Sequence, residues 1–196
     1  MSRILYTICL IFYLTFSCSA WASDAQIDWD KLLAGNVIGE AVENKDGLPG
    51  VRASFCVKAE REHIWSVLID YDKFPAIFRN LKKIRVLERS QAGAKVEFWY
   101  AVKFLKVFNK DLHYVLDRRY IIPGRQITWT RDSGDLKRIE GSWEIRDTQK
   151  SDVYLLVYSS YVEPDWYVPV KLVRSGALNE ATDMAGRIRD WIEQQP

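Results

Sequence analysis

Two hydrophobic periods organise this chain. From Val168 to Gln195 the apolar residues recur at helical spacing. At 100° per residue Val170, Ala177, Leu178, Ala181, Met184, Ala185, Ile188 and Ile192 share one face, with Leu172, Asn179, Asp183, Asp190 and Glu193 on or near the other. Within this stretch no proline follows Pro169, and Gly176 and Gly186 are the only glycines, so it predicts one long helix. About 25 residues rising 1.5 Å each give roughly 37 Å, enough to cross a small domain. The middle of the apolar face is small (Ala177, Ala181, Ala185), and Arg174 is a charge at its N-terminal end.

The second period is two. Lys95 to Phe104 alternates, with Val96, Phe98, Tyr100, Val102 and Phe104 facing one way and Lys95, Glu97 and Lys103 the other. Val51–Val57, Ile84–Glu88, Asp111–Tyr120, Gln126–Arg131, Ile139–Ile145 and Val153–Val162 read as further strands, separated by turns such as Pro123-Gly124 and Asp132–Gly134. Leu112, Tyr114 and Leu116 share a face, as do Ile127 and Trp129, and as do Ile139, Gly141, Trp143 and Ile145. Short connections make this an antiparallel meander. Between Val57 and Ile84 the period switches. Glu60–Ile69 predicts a helix buried through Ile64, Trp65 and Leu68, and Tyr71–Asn80 a second helical piece with Pro75 in its first turn. Upstream, Asp28–Ala34 reads as a short helix stopped by Gly35, Val37–Val42 as a strand or an extended arm, and Asn44–Gly50 as a turn. A sheet with one apolar face needs cover, and the last helix is the element long enough to supply it. The expected fold is α+β: a curved antiparallel sheet wrapped around a long C-terminal helix, with two short helices after the first main strand.

The N-terminus changes the expected location. Arg3, the 13-residue apolar run Ile4–Phe16 and Ala20-Trp21-Ala22 predict a signal peptide cleaved after Ala22. The run falls short of the ~20 residues a membrane span needs, which disfavours an uncleaved anchor. Thr15, where a lipoprotein signal usually has Leu, disfavours lipidation at Cys18. The expected product is exported and periplasmic, beginning at Ser23, with an N-terminal extension over 23–50 and the main domain over 51–195. Without Arg3 the 28 basic residues become 27 against 26 acidic, and no basic run stands out. Nucleic-acid binding is not expected. Cys56 is alone in the mature chain, so no internal disulfide forms, and it reads as an inert strand thiol.

The order of strand, two short helices, six strands and long helix resembles the START-like (helix-grip, polyketide cyclase and coenzyme-Q-binding) superfamily. The residues that carry the resemblance are Ile64-Trp65-Ser66-Val67-Leu68-Ile69-Asp70-Tyr71-Asp72-Lys73-Phe74-Pro75, similar to its VW-x-V-L-x-D-Y-x-x-x-P signature; Lys82–Arg89, which fits the strand after it; and Gly141-Ser142-Trp143, similar to its G-x-W strand. Together they cover about Val51 to Glu193. They are fold-forming positions, so no catalytic role transfers with them. The resemblance implies binding of a hydrophobic small molecule such as a lipid, isoprenoid, quinone, sterol or polyketide. A minority of such domains are aromatases or cyclases.

The chain lacks G-x-S-x-G, P-loop, G-x-G-x-x-G and H-E-x-x-H patterns. With two His and one mature Cys it cannot build a zinc site from His and Cys alone, and no metal or cofactor is expected. His63 is expected exposed on its helix, and His113 on the outer sheet face. The aromatic residues say more. Phe98, Tyr100, Leu112, Tyr114, Trp143 and Tyr158 are inward strand positions opposite the small helix face of Ala177, Leu178 and Ala181. Taken singly each is ordinary core; together, large rings facing alanines predict an apolar pocket with a few hydroxyls. Arg174 either snorkels to solvent or anchors a ligand at the pocket mouth. Trp166 and Tyr167, on the loop before the helix, read as a lid over the core edge or as a membrane-contacting gate. The expected partners are a hydrophobic small molecule and, transiently, a membrane, with the protein a monomer. Two functions remain: a non-enzymatic carrier, or a cyclase/dehydratase-like enzyme. An inward carboxylate–tyrosine pair would favour the enzyme; Glu97 is on outward parity, which favours the carrier.

Overall fold

The computed structural model describes residues 27–104 and 108–194. The expected leader and its cleavage site, the end of the last helix at Gln195, and the side chains of Phe104 and Val170 lie outside what is described. The element order is α1 (Trp29–Leu33), β1 (Ile38–Glu43), β2 (Pro49–Lys58), α2 (Arg61–Ile69), a 3-10 turn (Tyr71–Lys73), α3 (Phe74–Ile77), β3 (Leu81–Ser90), β4 (Gly93–Phe104), β5 (Phe108–Ile122), β6 (Gln126–Gly134), β7 (Leu136–Asp147), β8 (Val153–Pro164) and α4 (Val170–Gln194). The eight strands form one antiparallel sheet in the order β1-β2-β8-β7-β6-β5-β4-β3. This is the helix-grip architecture that the alternation and the long helical period predict.

Local chemistry sets the boundaries. Asp28 caps α1 by accepting from the Lys31 amide at 3.2 Å, and Gly35 leaves the helix at φ 84°. Pro75 sits in the first turn of α3, where its missing N–H costs nothing. The residues that read as a strand or an arm are β1, paired with β2 from Ile38↔Ser54 to Glu43↔Pro49, so the extension adds an edge strand. The opposite edge, β3, carries exposed Lys82, Lys83, Arg85, Glu88 and Arg89, charges that discourage further strand pairing.

The core lies between the concave face of the sheet and α4. Ala185, Ile188 and Ile192 are buried there, and one cluster joins them to Phe55, Val57, Ile64, Leu68, Tyr71 and Phe74. Val67, rather than Trp65, completes the buried stripe of α2; Trp65 is half-buried, edge-on to Tyr120 with ring centroids 5.4 Å apart. A second, smaller cluster occupies the convex face, where Leu32 of α1 covers Cys56, Leu155 and Val157. This is why Cys56 is free yet buried, and burial pushes its thiol pKa up.

Gly141 answers a packing demand of the concave face. It pairs with Trp129 across β6 and β7, and a Cβ on it would lie 2.2 Å from the Ser159 carbonyl oxygen and 2.4 Å from Trp129 Cζ2. The glycine of the G-x-W segment lets the Trp129 indole lie against the neighbouring strand.

Candidate functional site

The concave face and α4 do not close completely on each other. Between Val173–Met184 of the helix and β4–β8 lies a cavity of about 260 Å³, with Phe74 and Phe78 at its α3 side. Its position follows from the side chains available. Toward its C-terminus α4 presents Ile188 and Ile192, which fill the space. In its middle it presents Gly176, Ala177 and Ala181, which do not.

Of the residues expected at a pocket, Phe98, Tyr100, Leu112, Tyr114, Trp143, Tyr158, Ala177, Ala181 and Trp166 line this cavity. The rings pack on one another. Phe98 and Tyr114 stack at 5.4 Å, Trp129 and Tyr158 stack at 5.6 Å, and Trp143 tilts against Tyr158 at 4.9 Å. Three expected residues lie elsewhere. Leu178 packs on β1, where Gly39 has no side chain to hold the helix off; a Cβ there would lie 2.9 Å from Leu178 Cδ1. Arg174, one turn earlier on the same side, ion-pairs with Glu43 at the end of β1. The apolar face of α4 is thus divided between the cavity and β1, and Arg174 anchors helix to edge strand instead of guarding a mouth. Tyr167 points to solvent, 91% exposed. Trp166 is half-buried on the cavity wall, with Lys110 Nζ 3.4 Å from its ring centroid.

Two charged side chains reach the cavity that the reading of aromatic parity passed over. Glu180 sits three residues after Ala177 and four before Met184, on the cavity side of the helix. Its Oε2 accepts from Asn80 Nδ2 at 2.7 Å and its Oε1 from the Tyr100 hydroxyl. Burial, then the adjacent carboxylate, push the Tyr100 phenol far above its usual range, so it stays a proton donor. Burial also raises Tyr114 and Tyr158.

The other is Arg118. It continues the series Leu112, Tyr114, Leu116 on the inward parity of β5, and it is only 4% exposed. Its guanidinium lies over three rings, with centroids at 4.9 Å (Tyr71), 5.6 Å (Phe74) and 5.5 Å (Trp129). Among the described residues no carboxylate pairs with it, and its buried Nε has no hydrogen-bond partner. Arginine cannot shed its proton. Each ring contact offsets on the order of 1–2 kcal/mol, against several kcal/mol for desolvating an unpaired ion.

Other chemistry lies off the cavity. Glu97, His113 and Trp99 are on the convex face, where Glu97 takes hydrogen bonds from Arg85 Nε and His113 Nε2, each at 2.7 Å, and the His113 and Trp99 rings stack at 4.9 Å. His63 is half-buried rather than exposed, because its Nε2 lies 3.2 Å from the Ile192 carbonyl near the end of α4. Among the described residues no group of three or more His, Cys, Asp or Glu is placed to hold a metal ion, and no helix is long and apolar enough to cross a membrane.

The profile of the polyketide cyclase/dehydrase and lipid transport family matches residues 57–189, about two thirds of the chain. The chain belongs to that family. No curated protein matches it. Among solved structures, members of the same fold include a START superfamily protein from Mycobacterium smegmatis (TM-score 0.61, 18% identity, covering 83% of this chain and 100% of that one). A STAR-related lipid transfer protein from Xanthomonas axonopodis aligns at TM-score 0.60 and 14% identity, over 80% of this chain and 93% of the other. The Zhui aromatase/cyclase from Streptomyces sp. R1128 aligns at TM-score 0.62 and 17% identity, over 74% and 94%. At these identities the likeness concerns the fold. The family's matched segment contains the whole strand wall of the cavity from β3 to β8 and most of α4.

Proposed function

We propose that this member of the polyketide cyclase/dehydrase and lipid transport family binds a hydrophobic small molecule in the cavity between α4 and the sheet, and carries or sequesters it outside the cytoplasm as a monomer. The observation that carries the reading is the cavity itself: aromatic walls facing a helix whose middle is glycine and alanine. A ligand burying ~300 Å² of apolar surface there gains roughly 7 kcal/mol before association costs, compatible with micromolar affinity. The imidazoles of His63 and His113 and the thiol of Cys56, side-chain types common in proton transfer and nucleophilic attack, all lie away from the cavity, which favours carriage over conversion. The Xanthomonas axonopodis neighbour is named for lipid transfer. The leader expected at residues 1–22 supports a periplasmic site of action, and exposed Tyr167, beside the cavity-lining Trp166, is suited to touch a membrane during ligand exchange.

A second reading has its own observation. Tyr100 and Glu180 form a carboxylate–tyrosine pair on the cavity wall, with the phenol held protonated. Such a pair suits dehydration of a bound β-hydroxyketone: the carboxylate takes the α-proton while the phenol donates to the carbonyl oxygen, and the resulting enol expels the β-hydroxyl, which leaves as water with the proton returned from Glu180. The Zhui aromatase/cyclase shares the fold.

Ala181→Trp tests binding. Ala181 is 3% exposed and faces the cavity. If the space is available, the indole enters it, the protein folds with little loss, and uptake of a neutral fluorescent lipid probe disappears. If helix and sheet are packed there in solution, overpacking costs ~1–3 kcal/mol and the wild type takes up no probe. Loss of a dehydration activity in Glu180→Gln, with probe binding intact, would select the enzyme.

A further inference from the structure

We infer that the cavity takes a single-chain amphiphile whose head is an anionic oxygen group, a carboxylate or a phosphate, seated on Arg118. The inference rests on the binding function proposed above and names the ligand class for that cavity. Arg118 is 96% buried, lies on the cavity wall, and lacks a carboxylate partner among the described residues. The rings of Tyr71, Phe74 and Trp129 meet its charge but accept none of the hydrogen bonds that a guanidinium donates. A carboxylate or phosphate accepts two of those bonds in parallel, the geometry for which arginine is best suited.

Glu180 does not take that place. Both of its oxygens are engaged, by Tyr100 and Asn80. Tyr114 and Tyr158 feel opposing effects from Arg118 and Glu180, so both lie within electrostatic reach of each charge. Among the described residues the cavity is therefore polarised: its cation has no carboxylate partner, while its carboxylate has two donors.

The shape agrees with one chain. Leu112 and Arg118 both line the cavity and are six residues apart on β5, so the wall runs up to roughly 20 Å along the strand. About 260 Å³ is slightly below the ~300–1,000 Å³ usual for ligand pockets, which favours one acyl chain over two. Lys110, eight positions before Arg118 on the same strand, covers Trp166 at the opposite end. The head then sits at the α3 end and the tail extends along Leu116 and Leu112 toward Trp166.

The test uses the delipidated full chain at pH 7, with displacement of Nile red, a neutral probe, by dodecanoate, dodecyl phosphate, dodecanol and dodecylammonium. Both anions are expected to bind about tenfold to a hundredfold tighter than dodecanol, with dodecylammonium weakest. The tighter of the two anions identifies the head group. Arg118→Met should bring the anions down to the affinity of dodecanol while Nile red binding survives. The ranking on the wild type decides the matter if that variant does not fold. Equal binding of anions and dodecanol to the wild type overturns the anionic head and leaves cavity binding standing. Failure of Nile red and all four amphiphiles to bind overturns both.

Discussion

The Tyr100 hydroxyl, on β4, donates a hydrogen bond to Glu180, eighty positions later on α4. Asn80, just before β3, donates to the same carboxylate at 2.7 Å. One side chain of the helix therefore holds two points of the sheet's far wing, on the opposite side of the cavity from the β1 and β2 contacts. Without it, small residues such as Ala177 would give the helix little grip on that wing. The pair both fastens the cavity's roof and places an acid beside a phenol within it.

This relationship predicts an asymmetric response to mutation. Tyr100→Phe removes the donor and leaves one carboxylate oxygen unpartnered in a half-buried site, at a cost of about 1–3 kcal/mol. Glu180→Gln keeps an acceptor for one neighbour and should cost less. Urea denaturation of the two variants checks the order. Glu180→Gln being the more damaging would mean that the charge, rather than the hydrogen bonds, holds the helix.

Much of this arrangement is legible in the residue pattern. The alternation in β4, β5 and β7 places Phe98, Tyr100, Leu112, Tyr114 and Trp143 on the concave face, and the structure finds them there. The same parity extends two residues past Leu116 to Arg118, but a charge on an inward position reads as the end of a strand's buried stretch unless its aromatic surroundings are known. Those surroundings come from Tyr71 and Phe74, in the two short helical pieces, and from Trp129, on another strand. Glu180 is likewise in phase with Ala177 and Met184, and its partners Asn80 and Tyr100 come from distant segments. Arg174 and Leu178 lie off the cavity for a single reason. Part of the helix face is spent on an edge strand, which the sequence does not show while residues 37–42 read as strand or arm.

The loop before α4 separates into two roles that its sequence does not distinguish. Tyr167→Ser should leave stability within ~0.5 kcal/mol, since the ring is almost fully exposed, and should reduce cosedimentation with liposomes. Trp166→Ser removes a half-buried indole from the cavity wall and from under Lys110, and should cost about 1–3 kcal/mol. Unchanged liposome binding in Tyr167→Ser would remove the membrane role from this residue.

Glu97 offers a pH test on the convex face, remote from ligand binding. Burial alone would raise its carboxyl pKa, but hydrogen bonds from His113 and Arg85 outweigh that effect and hold it below the ordinary 4.5. An ionised carboxylate only accepts, so His113 Nε2 carries the hydrogen in this contact. A carboxyl whose folded pKa is depressed stabilises the fold above its unfolded pKa, and loses that contribution as the pH falls through the folded value. Asp132 and Asp147 are lowered too, by Lys95 and by Arg125 with Arg61, so the wild type's acid sensitivity has several sources. The difference between wild type and Glu97→Gln isolates one of them. Melting temperatures recorded from pH 7 to pH 3 should show the variant less stable at neutral pH, with the gap narrowing once the pH drops below about 4.5. A gap that stays constant across that range would show that the substitution disturbs packing beneath Arg85 and Trp99, and that the ion pairs of Glu97 add nothing that titrates.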